Sequence, residues 1–157
     1  MRNELGDGAL NVAMTSVYTI VDSILNQKTP EMQEKSIRLE SVINISTMVE
    51  IEEINLSRLL DYLLENTIEE CMKVQNERRI ELSIMILKKH LYVMLVSTSG
   101  VKRENISRRF GPIIGGKSVI NILRIDSIIK KYCGFINHHI EGKTHVTEIL
   151  IPVSGVK

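Results

Sequence analysis

Hydrophobic residues recur every three or four positions along the stretch from Asn55 to Met72. They are Leu56, Leu59, Leu60, Leu63, Leu64, Ile68, Cys71 and Met72. This spacing places them on one side of an α-helix, with Asp61 on the opposite face. No Gly or Pro interrupts the run, and Asn55 suits the N-cap position because its side-chain oxygen can accept from a backbone N–H of the first turn. The pattern therefore predicts a helix that packs against the core.

Asn66 is the polar exception within this predicted helix. It follows Leu59 by seven residues and Leu63 by three, so it lies on or beside the apolar stripe. Because a buried amide without a partner costs about 1–3 kcal/mol, its side chain must bond to a neighbouring segment or face a cavity. The spacing alone leaves both interpretations open.

Similar patterns predict two further helices and five strands. One helix spans 9–27 and either kinks or restarts at Thr29-Pro30 to end near 35; the other spans 117–133, with Gly134 as the C′ residue that ends it. The strands span 37–44, 79–87, 91–97, 135–141 and 144–153. The last four strands should form two antiparallel hairpins. Helices on one face of a mixed, mostly antiparallel sheet give an α/β fold, a two-layer sandwich.

The stretch Thr98 to Gly116 has no sustained period and carries five charged residues, four of them basic. A loop of this length at a protein surface is usually functional or disordered.

Length and composition predict one globular domain, since the chain has 157 residues of which 43% are apolar. We assign 1–16 to a linker or helix start and 17–157 to the domain. The net charge of +1, with both signs mixed along the chain, gives no argument for binding nucleic acid or an anionic membrane. No apolar run of 18 residues and no signal peptide is present, and the two cysteines are typical of a reduced, cytoplasmic protein.

The residues around Asn66 carry a family resemblance. The run L-L-E-N-T-I-E-E-C resembles the N-box of the histidine-kinase-type ATPases, the superfamily shared with gyrase, MutL and the heat-shock ATPase chaperones. Its closest form is the L-L-D-N-A-I-E-A run of Agr-like, peptide-quorum-sensing sensor kinases. V-D-S-I-L-N-Q-K, K-K-Y-C-G and the final I-L-I-P are also similar to family motifs, so the resemblance covers about Val17 to Val153.

The resemblance implies a nucleotide site built from three elements. Asn66 matches the N-box Asn that holds the magnesium ion bridging the ATP phosphates, whereas Tyr62 stands where the family has a second Asn or a Glu. Ser97 matches the residue that contacts the adenine amino group, which is Asp or Asn in the family. A serine hydroxyl reaches less far than a carboxylate or an amide, so we expect a weaker adenine contact.

The third element, the glycine-rich G2 box, is the most altered. Counted without a gap from Gly134, it falls on 118–122, where Val119 and Asn121 replace the two glycines. A Cβ at such positions blocks the approach of a phosphate to the backbone. Gly115, Gly116, Lys117 and Ser118 lie just upstream and could form either a substitute anion nest or an ordinary helix-start turn.

The positions of the histidines decide whether the chain offers a phosphoacceptor or a metal site. The family's phosphoacceptor His precedes the ATPase domain, and residues 1–16 contain none. His138 and His145 could share one face of the last hairpin, either as ordinary strand histidines or as a weak, open metal site.

These observations lead to two hypotheses. In the first, the domain of a membrane-anchored Agr-like sensor kinase has weak or lost ATP and magnesium binding and acts as a pseudo-ATPase through protein contacts. In the alternative, it is an active Mg-ATP-dependent protein-histidine kinase. Both imply a cytoplasmic domain whose partners are a kinase dimerisation segment and a response regulator, homodimeric in the full-length protein, with membrane contact only through other parts of that protein.

Overall fold

A computed structural model of the chain describes residues 14–99 and 117–154, with side chains described from 16 to 99 and from 120 to 154. In chain order the elements are α1 (Met14–Glu34), β1 (Ile37–Asn44), α2 (Glu53–Cys71), β2 (Arg78–Leu87), β3 (His90–Thr98), α3 (Lys117–Lys131), β4 (Phe135–Glu141) and β5 (Thr144–Pro152). The predicted long loop lies outside the described residues except for its first two, Thr98 and Ser99.

The described strands form one mixed sheet in the order β1-β2-β3-β5-β4. β1 runs parallel to β2, and the other neighbouring strands pair antiparallel. Three described helices complete an α/β fold of the predicted kind. The two predicted hairpins are confirmed, with positive φ angles at Lys88 and Lys89 in the first turn and at Gly142 in the second.

The core lies between the sheet and the three described helices. Alternate residues of β2 and β3 are buried, among them Leu82 opposite Leu95 and Ile84 opposite Val93. The apolar stripe of α2 is buried as predicted from Leu56 to Cys71, whereas Met72 is exposed. Burial of one face of each layer fixes the register of the sheet and the rotation of the helix.

The predicted start of α2 is wrong. Glu52 is the N-cap residue and makes no side-chain cap hydrogen bond, and Asn55 lies inside the first turn. The Asn55 amide instead donates to Glu52 Oε1 at 2.8 Å and to the Tyr132 hydroxyl at 2.7 Å. Asn55 is therefore a buried link between the start of α2 and the end of α3.

Of the two alternatives predicted at Pro30, the restart is wrong, because α1 continues through Pro30 to Glu34 as one helix. Thr29 does not cap a new helix. Its hydroxyl donates to the Leu25 carbonyl at 2.6 Å, as Thr does within a helix. Of the predicted span, residues 9–13 lie outside the described residues.

The end of α3 follows a Schellman pattern, with the left-handed residue at Cys133 (φ 57°) and not at Gly134 as predicted. The Gly134 N–H donates to Ile129 O at 2.8 Å and the Cys133 N–H to Lys130 O at 3.1 Å. Gly134 is needed for a different reason: a Cβ there would lie 2.8 Å from the Leu150 carbonyl oxygen. The glycine lets the chain enter β4 close against β5.

Candidate functional site

Asn66 and Asn121 meet across the interface between α2 and α3. The Asn121 side chain is 2% exposed, and Asn66 is half-buried. The Asn121 amide donates to Asn66 Oδ1 at 3.2 Å and to Glu65 Oε1 at 2.8 Å. The oxygen that the resemblance assigns to magnesium therefore already accepts a hydrogen bond from Asn121, which the resemblance aligns with a G2 glycine.

A partly buried lysine extends this contact to α1. Lys28 Nζ lies 2.9 Å from Asp61 Oδ1 and 3.7 Å from Glu65 Oε2, and its side chain is only 12% exposed. We call Lys28, Asp61, Glu65, Asn66 and Asn121 the polar cluster. Its hydrogen bonds and ion pairs join all three described helices, and linked polar groups in a poorly solvated site strengthen one another.

Sequence reasoning missed three of the five residues of the polar cluster, Lys28, Asp61 and Glu65. Asp61 was expected on an exposed face, but its carboxylate bonds to Lys28 and is 37% exposed. Asp61 and Glu65 are four residues apart on α2, a spacing that signals a shared face. Nothing in the local sequence shows that Lys28, from another helix, neutralises them.

Tyr62 occupies the place of the family's second Asn or Glu. Its ring packs against the hydrophobic core, and the Arg124 guanidinium lies 5.5 Å from the ring centroid. This is the geometry of a cation–π contact. The side chain is thus engaged in packing between α2 and α3.

Ser97, the predicted adenine contact, lies on the buried face of the sheet and is 3% exposed. Its neighbours across the strands are Ile80 and His145. The next residue, Thr98, has its hydroxyl 3.8 Å from Cys71 Sγ. The end of β3 therefore lies beside the end of α2, and the Ser97 side chain is covered by protein.

The remaining predicted site residues lie at or before the start of α3. Lys117 and Ser118 are its first two residues, and Gly115 and Gly116 lie outside the described residues. The anion nest stays a prediction.

His138 and His145 share a face of the last hairpin, as expected. Their rings stack with centroids 5.5 Å apart, and His138 Nδ1 lies 2.8 Å from the Thr147 hydroxyl. Within the described residues, no group of three His, Cys, Asp or Glu side chains is arranged to hold a metal ion. No helix in the described ranges is long and apolar enough to cross a membrane.

The fold resembles solved histidine kinases. Histidine kinase AdeS of Acinetobacter baumannii superposes with a TM-score of 0.73 at 16% identity, over 92% of this chain and 67% of that one. The catalytic domain of histidine kinase ThkA superposes with a TM-score of 0.71 at 14% identity, over 89% of this chain and 95% of that one. The chain has the histidine-kinase ATPase fold.

A third structure is that of ThkA in complex with the response regulator protein TrrA, with a TM-score of 0.68 at 13% identity, over 87% of this chain and 40% of that one. At the level of sequence, neither a family model nor a curated protein matches the chain. The likeness to the histidine-kinase ATPase fold therefore rests on three-dimensional structure.

The polar cluster engages the oxygen that would hold magnesium. A magnesium ion at Asn66 Oδ1 would share this oxygen with the Asn121 amide, whose nitrogen lies 3.2 Å away, or would have to move that side chain aside. Moving the Asn121 side chain would also break its bond to Glu65 and leave a buried amide without partners, which costs about 1–3 kcal/mol.

Proposed function

We propose that this chain is the ATPase-fold domain of a two-component sensor kinase with impaired Mg-ATP binding, acting through contacts with other proteins. The observation that carries the proposal is the hydrogen bond from Asn121 to Asn66 Oδ1. It places a buried side chain where the family has a glycine, and that side chain engages the oxygen expected to hold magnesium.

Two further contacts support impaired binding. Tyr62 packs under the Arg124 guanidinium and, by the resemblance, replaces an Asn or Glu, so no amide or carboxylate oxygen is available there as a ligand for magnesium or water. Ser97 is 3% exposed, so its hydroxyl cannot reach a bound base unless β3 and its neighbours move. Each change removes a polar contact, and losses of about 1–3 kcal/mol for each charged contact weaken binding by powers of ten.

The kinase assignment rests on the fold together with the N-box-like run around Asn66. The structural neighbour ThkA was solved with a response regulator, TrrA. By analogy, the partners of this domain are a response regulator and a dimerisation segment carrying the phosphoacceptor His, in a homodimeric protein. The sequence L-L-E-N-T-I-E-E favours a membrane-anchored sensor of the Agr-like, quorum-sensing class, with this domain in the cytoplasm.

The alternative is an active protein-histidine kinase, and the retention of Asn66 at the magnesium position favours it. In that case Asn66 would hold magnesium, Ser97 would contact adenine, and the backbone from Gly115 to Ser118 would contact phosphate.

Replacement of Asn121 distinguishes between the two proposed functions. Asn121→Ala removes the competing donor without adding backbone freedom, so we expect Mg-ATP affinity to rise about five-fold, the equivalent of one net hydrogen bond. Adding Asn66→Ala should abolish this gain. Asn137→Ala, the same change at an exposed position on β4, is the matched control and should leave the affinity unchanged.

The readout is calorimetric titration with Mg-ATP. An Asn121→Ala variant that binds no better than the unmodified protein would show that Asn121 does not limit magnesium binding. Adding Val119→Gly at the other altered G2 position tests whether side chains at the helix start contribute as well.

A further inference from the structure

A cavity of about 630 Å³ opens between α2 and α3, beside the polar cluster. Its walls include Arg58 and Tyr62 from α2 and Arg124, Ser127 and Lys131 from α3. We call this cavity the basic groove. We propose that the basic groove is a docking site for an acidic segment of a partner protein.

The charge of the basic groove favours an anionic occupant. Arg58 and Arg124 are exposed and pair with no carboxylate among the described residues. Lys131 is the only one of its three cations with such a partner in the described ranges, Glu52, at 3.0 Å. The carboxylate of Asp61, on the adjoining turn of α2, is held by Lys28. The groove therefore has three cationic side chains and one carboxylate that neutralises one of them, that of Glu52, so its net charge is positive.

The spread of the cations favours a chain segment over a small anion. Arg124 and Lys131 are seven residues apart on α3, which is two turns or about 10 Å along the helix axis. One phosphate or one carboxylate would contact both only if the two long side chains converged across two helical turns. A peptide with carboxylates two helical turns apart can contact both, because its side chains repeat at the same spacing.

Arg124 is positioned before any partner binds. Its guanidinium lies 5.5 Å from the centroid of the Tyr62 ring, and Tyr62 is itself packed against the core. A guanidinium held in this way loses less conformational entropy when it forms a bidentate contact with a carboxylate. Ile128, which is 9% exposed, gives the groove an apolar wall for the aliphatic part of a glutamate side chain.

The basic groove would be the surface through which the protein contacts of the proposed function are made. Only in that respect does the inference rest on the proposed function. The test contains no nucleotide, so its failure is distinguishable from a failure of the ATP experiment. The probe is a synthetic helical peptide, fluorescently labelled, with Glu residues seven positions apart. A peptide of the same composition with its Glu residues adjacent is the spacing control.

Binding is followed by fluorescence anisotropy on the whole chain. We expect the spaced peptide to bind more tightly than the clustered peptide and to weaken as salt rises. The Arg58→Gln/Arg124→Gln variant should lose about ten-fold or more in affinity. Lys73→Gln/Lys143→Gln makes the same change of charge at exposed positions outside the groove and should bind as the unmodified protein does.

A charge exchange completes the test. Arg58→Glu/Arg124→Glu should reject the Glu peptide and bind one with Lys at the same positions, provided that thermal melting shows the variant folded. Equal peptide affinity in the two Gln variants would overturn the proposal. A second result would also overturn the proposal: inorganic phosphate shifts the NMR signals of the Arg58 and Arg124 side chains to saturation, while the spaced peptide does not bind. That result would indicate a small-anion site.

Discussion

The Asn121 amide donates to the Asn66 carboxamide oxygen at 3.2 Å, joining the start of α3 to the second half of α2. The two residues are 55 positions apart in the chain. The resemblance assigns Asn66 to the N-box and Asn121 to the G2 box, so the bond joins the expected magnesium ligand to a position where the family has glycine.

Leu63 tests the core. The side chain is 4% exposed in the middle of the α2 stripe, so Leu63→Ala should lower the free energy of unfolding by about 2–5 kcal/mol. Leu123→Ala is the matched control, because Leu123 is 64% exposed on α3 and its loss should change stability by about 0.5 kcal/mol or less. Urea unfolding of the two variants measures the difference, and equal midpoints would contradict the burial of α2.

The helices and strands could be predicted because burial of one face of each element gives its hydrophobic residues a regular spacing in the sequence. The β1 strand spans the predicted 37–44. The α2 helix begins two residues earlier and ends one residue earlier than predicted, and α3 ends two residues earlier. Errors arose where a distant residue decides the local structure. Asn55 fits an N-cap by its residue type, but the helix begins at Glu53, and the Asn55 amide donates to the Tyr132 hydroxyl.

The candidate site was less predictable for the same reason. Asn66 could be identified because a local run of residues surrounds it. Its partners Asn121 and Lys28 lie on other helices, and only the packing of those helices brings them together. Gly134 shows the converse: its residue type suggested a left-handed backbone, whereas contact with Leu150 O explains the glycine.

The two cysteines should differ in reactivity. Cys71 is fully buried, and burial raises the pKa of its thiol, which lowers the fraction of reactive thiolate. Cys133 is exposed. We expect a maleimide to label one thiol of the folded protein at neutral pH and both in denaturant. Cys133→Ser should abolish labelling of the folded protein and Cys71→Ser should not; labelling of Cys71 without unfolding would contradict its burial.

The Tyr92 hydroxyl should lose its proton at a higher pH than an ordinary tyrosine. Burial, together with the hydrogen bond that its hydroxyl donates to Glu148 Oε2 at 2.6 Å, raises the pKa of Tyr92 to about 12. Because the folded protein favours the neutral phenol, this contribution to stability is complete below pH about 10 and is lost as the pH rises from about 10 to 12. Ultraviolet titration should show a phenol near pH 12 that Tyr92→Phe removes. If the titration step near pH 12 remains in the Tyr92→Phe variant, that step belongs to another residue.

The measurement that tests the central claim most directly is calorimetric titration of the unmodified domain with ATP, with and without magnesium. Occupation of Asn66 Oδ1 by Asn121 predicts millimolar or weaker binding and little dependence on magnesium. Tight, micromolar binding that requires magnesium would contradict the account. The domain would then be an active kinase domain in which Asn121 moves aside, and the backbone from Gly115 to Ser118 would be the first place to look for the phosphate contacts.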